Sequence, residues 1–222
     1  MTLETILLVA ILSNIGATGF ALAACIRPAL CYFRQLECLV IGAILTTFFI
    51  WLVFSESLSN FINVDVNLSL LIAIPLGLMI IFFEYFIEAV WNYFKSGTSF
   101  TKPTIYPFFA DAKISALRVI LMILIIILEE VLLRWFVFSY SISKLGLSFE
   151  FVIFISAVLY GFNHLNFGLR GLILKTLGGL IYGLIFFASK FSIMLVVLVH
   201  LTQNFTLLAL SHIALLKNEV AR

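Results

Sequence analysis

Ile123-Leu124-Ile125-Ile126-Ile127-Leu128-Glu129-Glu130-Val131-Leu132-Leu133-Arg134 sets two adjacent glutamates and an arginine behind an unbroken aliphatic run. A charged side chain at the centre of a bilayer costs roughly 2.5–3.5 kcal/mol on insertion scales, so ionisable groups kept at such a depth are functional by default. The rest of the chain shows that bilayer depth is the right frame. Hydrophobic residues make up 64% of the 222 positions and charged ones 11%, where soluble domains carry roughly 25% charged residues. Mean hydropathy is +1.21. This is the composition of a polytopic membrane protein, and the net charge of +2 carries no signal for nucleic acid, which is not expected as a partner.

Apolar runs of about 20 residues cross roughly 30 Å of hydrocarbon as helices. Seven such runs are predicted, near residues 5–26, 38–55, 68–91, 115–138, 148–166, 171–189 and 192–215. The first is read as a helix and not as a cleavable signal, because Met1-Thr2-Leu3-Glu4 holds no Lys or Arg and the apolar stretch exceeds a typical h-region. The expected fold is all-α, a transmembrane helix bundle of about seven spans. The polar stretch Asn92 to Lys113, with Lys95-Ser96-Gly97-Thr98-Ser99, Pro103 and Pro107, reads as a cytoplasmic loop. It divides N-terminal helices and loop (1–114) from a C-terminal four-helix core (115–216).

Short cytoplasmic loops collect Lys and Arg. With the N-terminus outside, Arg27, Arg34, Lys95, Lys102, Lys113, Arg118, Arg170, Lys175, Lys217 and Arg222 fall inside, only Lys144 and Lys190 fall outside, and Arg134 stays within a span. That asymmetry predicts an integral protein of the cell membrane, N-out and C-in. Cys25, Cys31 and Cys38 surround the first cytoplasmic loop, where thiols stay reduced; they read as small apolar residues, with palmitoylation or metal binding as the alternatives. Gly179 and Gly183 share a face of the sixth span and would admit a close neighbouring helix.

Three polar constellations follow one another through the C-terminal core. Glu130 and Arg134 are four apart, meet on one helical face and can neutralise each other away from water. Glu129 sits about 100° around the helix from Glu130 and is free to face a cavity as a general base. A purely structural Glu-Glu-Arg cluster joining helices is the alternative. His164 lies toward the cytoplasmic end of the fifth span in Tyr160-Gly161-Phe162-Asn163-His164; alone it would read as a hydrogen-bonding interface residue. His200 and Asn204, again four apart, share a face within an aliphatic wall, and their N–H groups can donate to a developing oxyanion. Together these residues supply a base, a second acid/base group and two oxyanion donors, which fits attack of water on a peptide carbonyl.

The order Glu-Glu-x-x-x-Arg, aromatic-x-x-x-His, His-x-x-x-Asn resembles the CAAX-protease and bacteriocin-processing family of intramembrane proteases, over roughly residues 115–215. The combination on three helices is far more specific than any one part. The family usually carries Phe four residues before the first histidine, where this chain has Tyr160. The resemblance implies that Glu129 and His164 activate the water, that His200 and Asn204 form the oxyanion hole, and that Glu130 and Arg134 support the site. It also implies a protein or peptide substrate in the bilayer: a prenylated or otherwise lipidated tail, a bacteriocin or pheromone precursor, or a membrane-anchored sorting tail. The short length leans toward a prokaryotic processing enzyme.

No cofactor is expected. Zinc on two histidines and a glutamate stays as the alternative, although His-Glu-x-x-His is absent and Asn is a poor zinc ligand. Two rival functions stand beside the protease. Glu84 and Glu88, four apart near the cytoplasmic end of the third span, could form the ion or proton site of a transporter, or snorkel, or pair with Lys95. A non-catalytic scaffold or immunity protein could use the same polar cluster to hold helices together. The placement of His164 near the cytoplasmic end of its span predicts a site that opens toward the cytoplasm or inner leaflet.

Overall fold

The computed structural model describes residues 43–44, 69–96, 115–164 and 168–220. The three cysteines, the first two expected spans apart from residues 43–44, and residues 97–114 of the expected loop lie outside the described residues. The described residues form helix α1 (Ser69–Ser96), α2 (Ala116–Glu130), a π-helical segment (Val131–Phe136), α3 (Val137–Ser143), α4 (Phe149–Asn163), α5 (Gly168–Ala188) and α6 (Ile193–Val220). These coincide with the third to seventh expected spans. Five boundaries differ. Asn92 to Ser96 complete α1 and are not loop; α3 runs on to Ser143, past the expected 138; α4 stops at Asn163, short of the expected 166; α5 starts at Gly168, which takes Arg170 into a helix; and α6 runs to Val220, past the expected 215. The fourth span is also no single α-helix, since the π-helical segment joins α2 to α3.

Local chemistry explains the helix ends. Ser148 caps α4, its hydroxyl accepting the Phe151 N–H at 3.5 Å, and Glu150 in the first turn suits the positive end of the helix dipole. After α3 the chain turns through Gly146 at φ +63°, a left-handed conformation that glycine adopts without steric cost. There the Gly146 and Leu147 N–H groups return to the Ile142 and Ser141 carbonyls. The Ser192 hydroxyl accepts the Leu195 N–H at 3.3 Å and opens α6.

Stretches of α1 (Leu71–Phe94), α5 (Gly168–Ala188) and α6 (Ile193–Ser211) are long and apolar enough to cross a bilayer. Helix α4 is apolar but has 15 residues, about 22 Å of rise. Large apolar side chains such as Leu71, Phe82, Phe94, Phe154 and Leu169 are exposed on the outside of the helices, as a lipid-facing surface requires. The described residues are all-helical, and the chain is an integral membrane protein.

Inside, the π-helical segment and α3 supply Leu132, Leu133, Phe136, Val137, Phe138 and Tyr140 to one core with Val152, Ile153, Leu159 and Tyr160 of α4, Tyr182 and Phe186 of α5, and Val196 and Val199 of α6. Helices sharing a solvent as apolar as themselves associate by close packing, which small residues permit. Gly179 and Gly183 play the part their spacing suggests. A Cβ on Gly179 would lie 2.9 Å from the Ala157 Cα, and one on Gly183 would lie 3.0 Å from the Ile153 Cγ2. Two further close approaches join them: Gly161 of α4 abuts Thr176 and Leu172 of α5, and Gly77 of α1 abuts Thr202 and Val199 of α6.

Because the atom facing Gly179 belongs to the α4 backbone, no rotamer change can relieve a new methyl. Gly179→Ala should therefore destabilise the protein by about 1–3 kcal/mol, the usual cost of overpacking, seen as a lower midpoint of thermal unfolding in detergent. An unchanged midpoint would contradict the close α4–α5 contact.

Candidate active site

The π-helical segment follows immediately on Glu130. At its end the Val137 N–H bonds to the Leu132 carbonyl, five residues back, and the Ser156 hydroxyl of α4 donates to the Leu133 carbonyl at 3.1 Å. A π turn widens the helix locally, and such turns recur at functional sites. Just before it the two glutamates face different surroundings, as their angular separation predicts. Glu130 is fully buried; Glu129 is half-buried.

Glu130 holds two partners at once. Its Oε2 lies 3.2 Å from Arg134 Nε, both side chains being 0% exposed, and its Oε1 accepts from His200 Nδ1 at 2.7 Å. Burying an ion pair costs desolvation on both sides, recovered only when further polar contacts satisfy the remaining atoms. Arg134 has such contacts only in part, because its Nε and Nη1 find no hydrogen-bond acceptor among the described residues. Its Nη2 donates to the Gly179 carbonyl at 3.3 Å, and its guanidinium carbon sits 5.0 Å from the Tyr160 ring centroid and 5.3 Å from that of Tyr182. That places the cation within reach of two π faces.

Two histidines complete the constellation. A carbonyl only accepts, so the 2.8 Å contact between His164 Nδ1 and the Tyr160 carbonyl fixes the Nδ1–H tautomer and makes Nε2 the lone-pair nitrogen of a neutral ring. His200, donating Nδ1–H to Glu130, has its Nε2 3.3 Å from the Tyr160 hydroxyl. Its ring also lies 4.9 Å from that of Tyr182. Asn204 donates one amide hydrogen to the His200 carbonyl at 3.1 Å. Electrostatics tie the set together, since Glu129 interacts with His200, Glu130, Arg134 and Lys175, and His164 with Lys175, His200 and Arg134.

The six polar residues singled out in the sequence therefore share one region. Glu130, Arg134 and His200 are buried, while Glu129, His164 and Asn204 are half-buried. One expectation changes. His200 reads from sequence as a plain N–H donor, but Nδ1–H is engaged by Glu130 and the Tyr160 hydroxyl meets Nε2. A neutral ring in this setting accepts at Nε2, and only the doubly protonated ring donates there.

Several contributors escape a motif-based reading. The Tyr182 hydroxyl donates to Oε1 of Gln203, which is buried three residues after His200; a polar residue at that spacing inside an apolar helix is the available signal. Glu84 and Glu88 gain partners that their sequence neighbourhood does not suggest. Lys175 Nζ lies 2.8 Å from Glu84 Oε1, and Arg170 pairs with Glu88. Both acids of the transporter reading are thus ion-paired across α1 and α5. Among the described residues no three His, Cys, Asp or Glu side chains are grouped to hold a metal ion.

Removing Arg134 would leave the Glu130 carboxylate buried with His200 alone. Arg134→Ala should lower stability by roughly 3–5 kcal/mol, the cost of breaking a buried pair from one side. Thermal unfolding in detergent measures it, and a variant as heat-stable as the parent would refute the structural role.

Comparison with known proteins adds an independent line. No curated protein and no solved structure matches the chain. A family model does, described as type II CAAX prenyl endopeptidase Rce1-like, over residues 112–206. That interval takes in the π-helical segment and all six polar residues. Over residues 112–206 the chain is therefore similar to the type II CAAX prenyl endopeptidases, which supports the resemblance to the CAAX-protease and bacteriocin-processing intramembrane proteases.

Proposed function

We propose that this protein hydrolyses a peptide bond in a membrane-associated protein or peptide, using water activated by Glu129 and His164. The observation that carries the reading is the double grip of Glu130 on Arg134 and His200, beside a carboxylate and an imidazole that both keep partial exposure. A buried, charge-balanced support with half-buried acid/base groups next to it is what a hydrolase needs. A scaffold needs only the support.

In this mechanism Glu129 takes a proton from water as the oxygen attacks the scissile carbonyl carbon, and His164 Nε2 orients that water or shares the proton. The carbonyl electrons move onto oxygen. Asn204 donates its second amide hydrogen to that oxyanion, and His200, when doubly protonated, donates Nε2–H. Collapse of the intermediate breaks the C–N bond, and the proton held by the Glu129–His164 pair passes to the leaving amine. Glu130 and Arg134 keep their mutual charge balance throughout and hold His200 in place. The substrate class we favour is a C-terminal tail of the C-a-a-X kind, prenylated on its cysteine.

The same reading takes the chain as a seven-span, N-out and C-in protein of a prokaryotic cell membrane, with residues 115–216 as a four-helix catalytic core. Beyond Asn163 helix α4 has ended, whereas α5 begins eleven residues before Gly179, the glycine that abuts Tyr160. His164 stands at that end of α4, supporting substrate entry from the side where Lys and Arg concentrate. The scaffold or immunity reading draws on the buried network alone and predicts no turnover.

Glu129→Gln preserves shape and removes the proton acceptor. Peptide cleavage by the purified, reconstituted protein should fall by about 10²–10⁴-fold, the usual contribution of general-base catalysis. Near-normal turnover in this variant would sink the assignment, and a parent without turnover would favour the scaffold. Exhaustive chelation should leave the parent rate unchanged, because the base is a carboxylate; loss of activity restored by zinc would establish the metal-dependent alternative.

A further inference from the structure

Lys175 is a cation inside a membrane-spanning helix with one ion-pair partner among the described residues. Its Nζ lies 2.8 Å from Glu84 Oε1, and the two side chains are 24% and 15% exposed. An ammonium carries three donors, so a single carboxylate oxygen leaves it capacity for another acceptor. The neighbouring pair differs: Glu88 is 6% exposed and meets an arginine, whose planar fork is suited to a fixed structural bridge. A lysine is a compact point charge on a flexible stem, better able to exchange or share partners.

Its position relative to the proposed chemistry is set by backbone packing. Thr176, the next residue, and the Leu172 carbonyl stand where a Cβ on Gly161 would project. Lys175 therefore stands level with the turn of α4 between Tyr160 and His164. It interacts electrostatically with both Glu129 and His164. In a low-dielectric setting one unsaturated ammonium draws a monoanion strongly, and Glu84 beside it disfavours a more highly charged group such as a phosphate.

We infer that Lys175 is a carboxylate-binding residue that seats the free C-terminus of the peptide substrate beside Glu129 and His164. The inference rests on the endopeptidase reading and deepens it, because it makes the enzyme selective for tails that end in a free carboxylate. Glu84 then acts as the resting counter-ion, sharing Lys175 once the substrate carboxylate arrives.

A peptide S-farnesylated on the fourth residue from its end, made as free acid and as C-terminal amide, separates the possibilities in liposomes. The parent should prefer the acid by about tenfold or more in kcat/KM, the effect of one charge-assisted hydrogen bond. The double variant Glu84→Gln/Lys175→Gln, which avoids an orphaned charge, should bring the acid-to-amide ratio within about twofold of unity. Lys175→Arg should retain the preference, and Glu84→Gln alone should raise it by removing the competing carboxylate. Equal cleavage of acid and amide by the parent, a preference surviving in the double variant, or a ratio unmoved by Glu84→Gln would each overturn the inference while leaving the protease reading intact. Cleavage of neither peptide by the parent would overturn the protease reading, and the inference with it.

Discussion

One carboxylate with two partners organises the C-terminal half of this protein. Glu130 stands at the end of α2, fully buried, with Arg134 on one oxygen and His200 on the other. Through Arg134 it reaches the Gly179 carbonyl on α5 and the Tyr160 ring on α4, and through His200 it fixes α6. Replacing a buried ion pair by apolar groups can be neutral for stability, so stability alone does not account for keeping it. What the network supplies is a single arrangement of four helices around the imidazole, which an aliphatic core would not specify.

That arrangement depends on where side chains are missing. Arg134 reaches a carbonyl of α5 because α4 and α5 approach closely along Gly161, Gly179 and Gly183. The π-helical segment contributes in a different way. It inserts a wider turn between Glu130 and α3, and one of its carbonyls, that of Leu133, accepts from Ser156. Leu132, Leu133 and Phe136 are all buried there, so the departure from α-geometry is held by packing on every side. If Gly179→Ala loosens this contact, the guanidinium loses its α5 acceptor as well as its neighbours' fit.

Much of this was legible in the residues, and the limits have physical causes. The described spans, the Glu130–Arg134 pair, the separate faces of Glu129 and Glu130 and the small-residue face at Gly179 and Gly183 all follow from helical periodicity. The Glu130–His200 bond does not, because seventy residues separate the partners and no local pattern encodes their meeting. Nor does the π turn, whose residues, Val131 to Phe136, read equally well as α-helix. The pairing of Glu84 and Glu88 escapes for a related reason: nearness along the chain points only to Lys95, whereas the fold also brings Lys175 and Arg170 across from α5.

The two histidines show how such long-range contacts divide roles that sequence alone leaves alike. His164 gives its Nδ1–H to a backbone carbonyl, so its Nε2 carries the lone pair, and the side chain keeps partial exposure. This suits proton abstraction from water. His200 is buried, with a carboxylate on Nδ1 and the Tyr160 hydroxyl at Nε2. A hydroxyl can donate to a lone pair or accept from an N–H, so Tyr160 matches either protonation state of that ring, which the phenylalanine usual in the family cannot do. In the neutral state it covers the lone pair; in the doubly protonated state it accepts the hydrogen that an oxyanion would otherwise claim. In the proposed mechanism an oxyanion would have to compete with Tyr160 for His200, while the remaining amide hydrogen of Asn204 faces no such competitor among the hydrogen bonds of the described residues. In the proposed mechanism the balance of oxyanion stabilisation would accordingly shift toward Asn204.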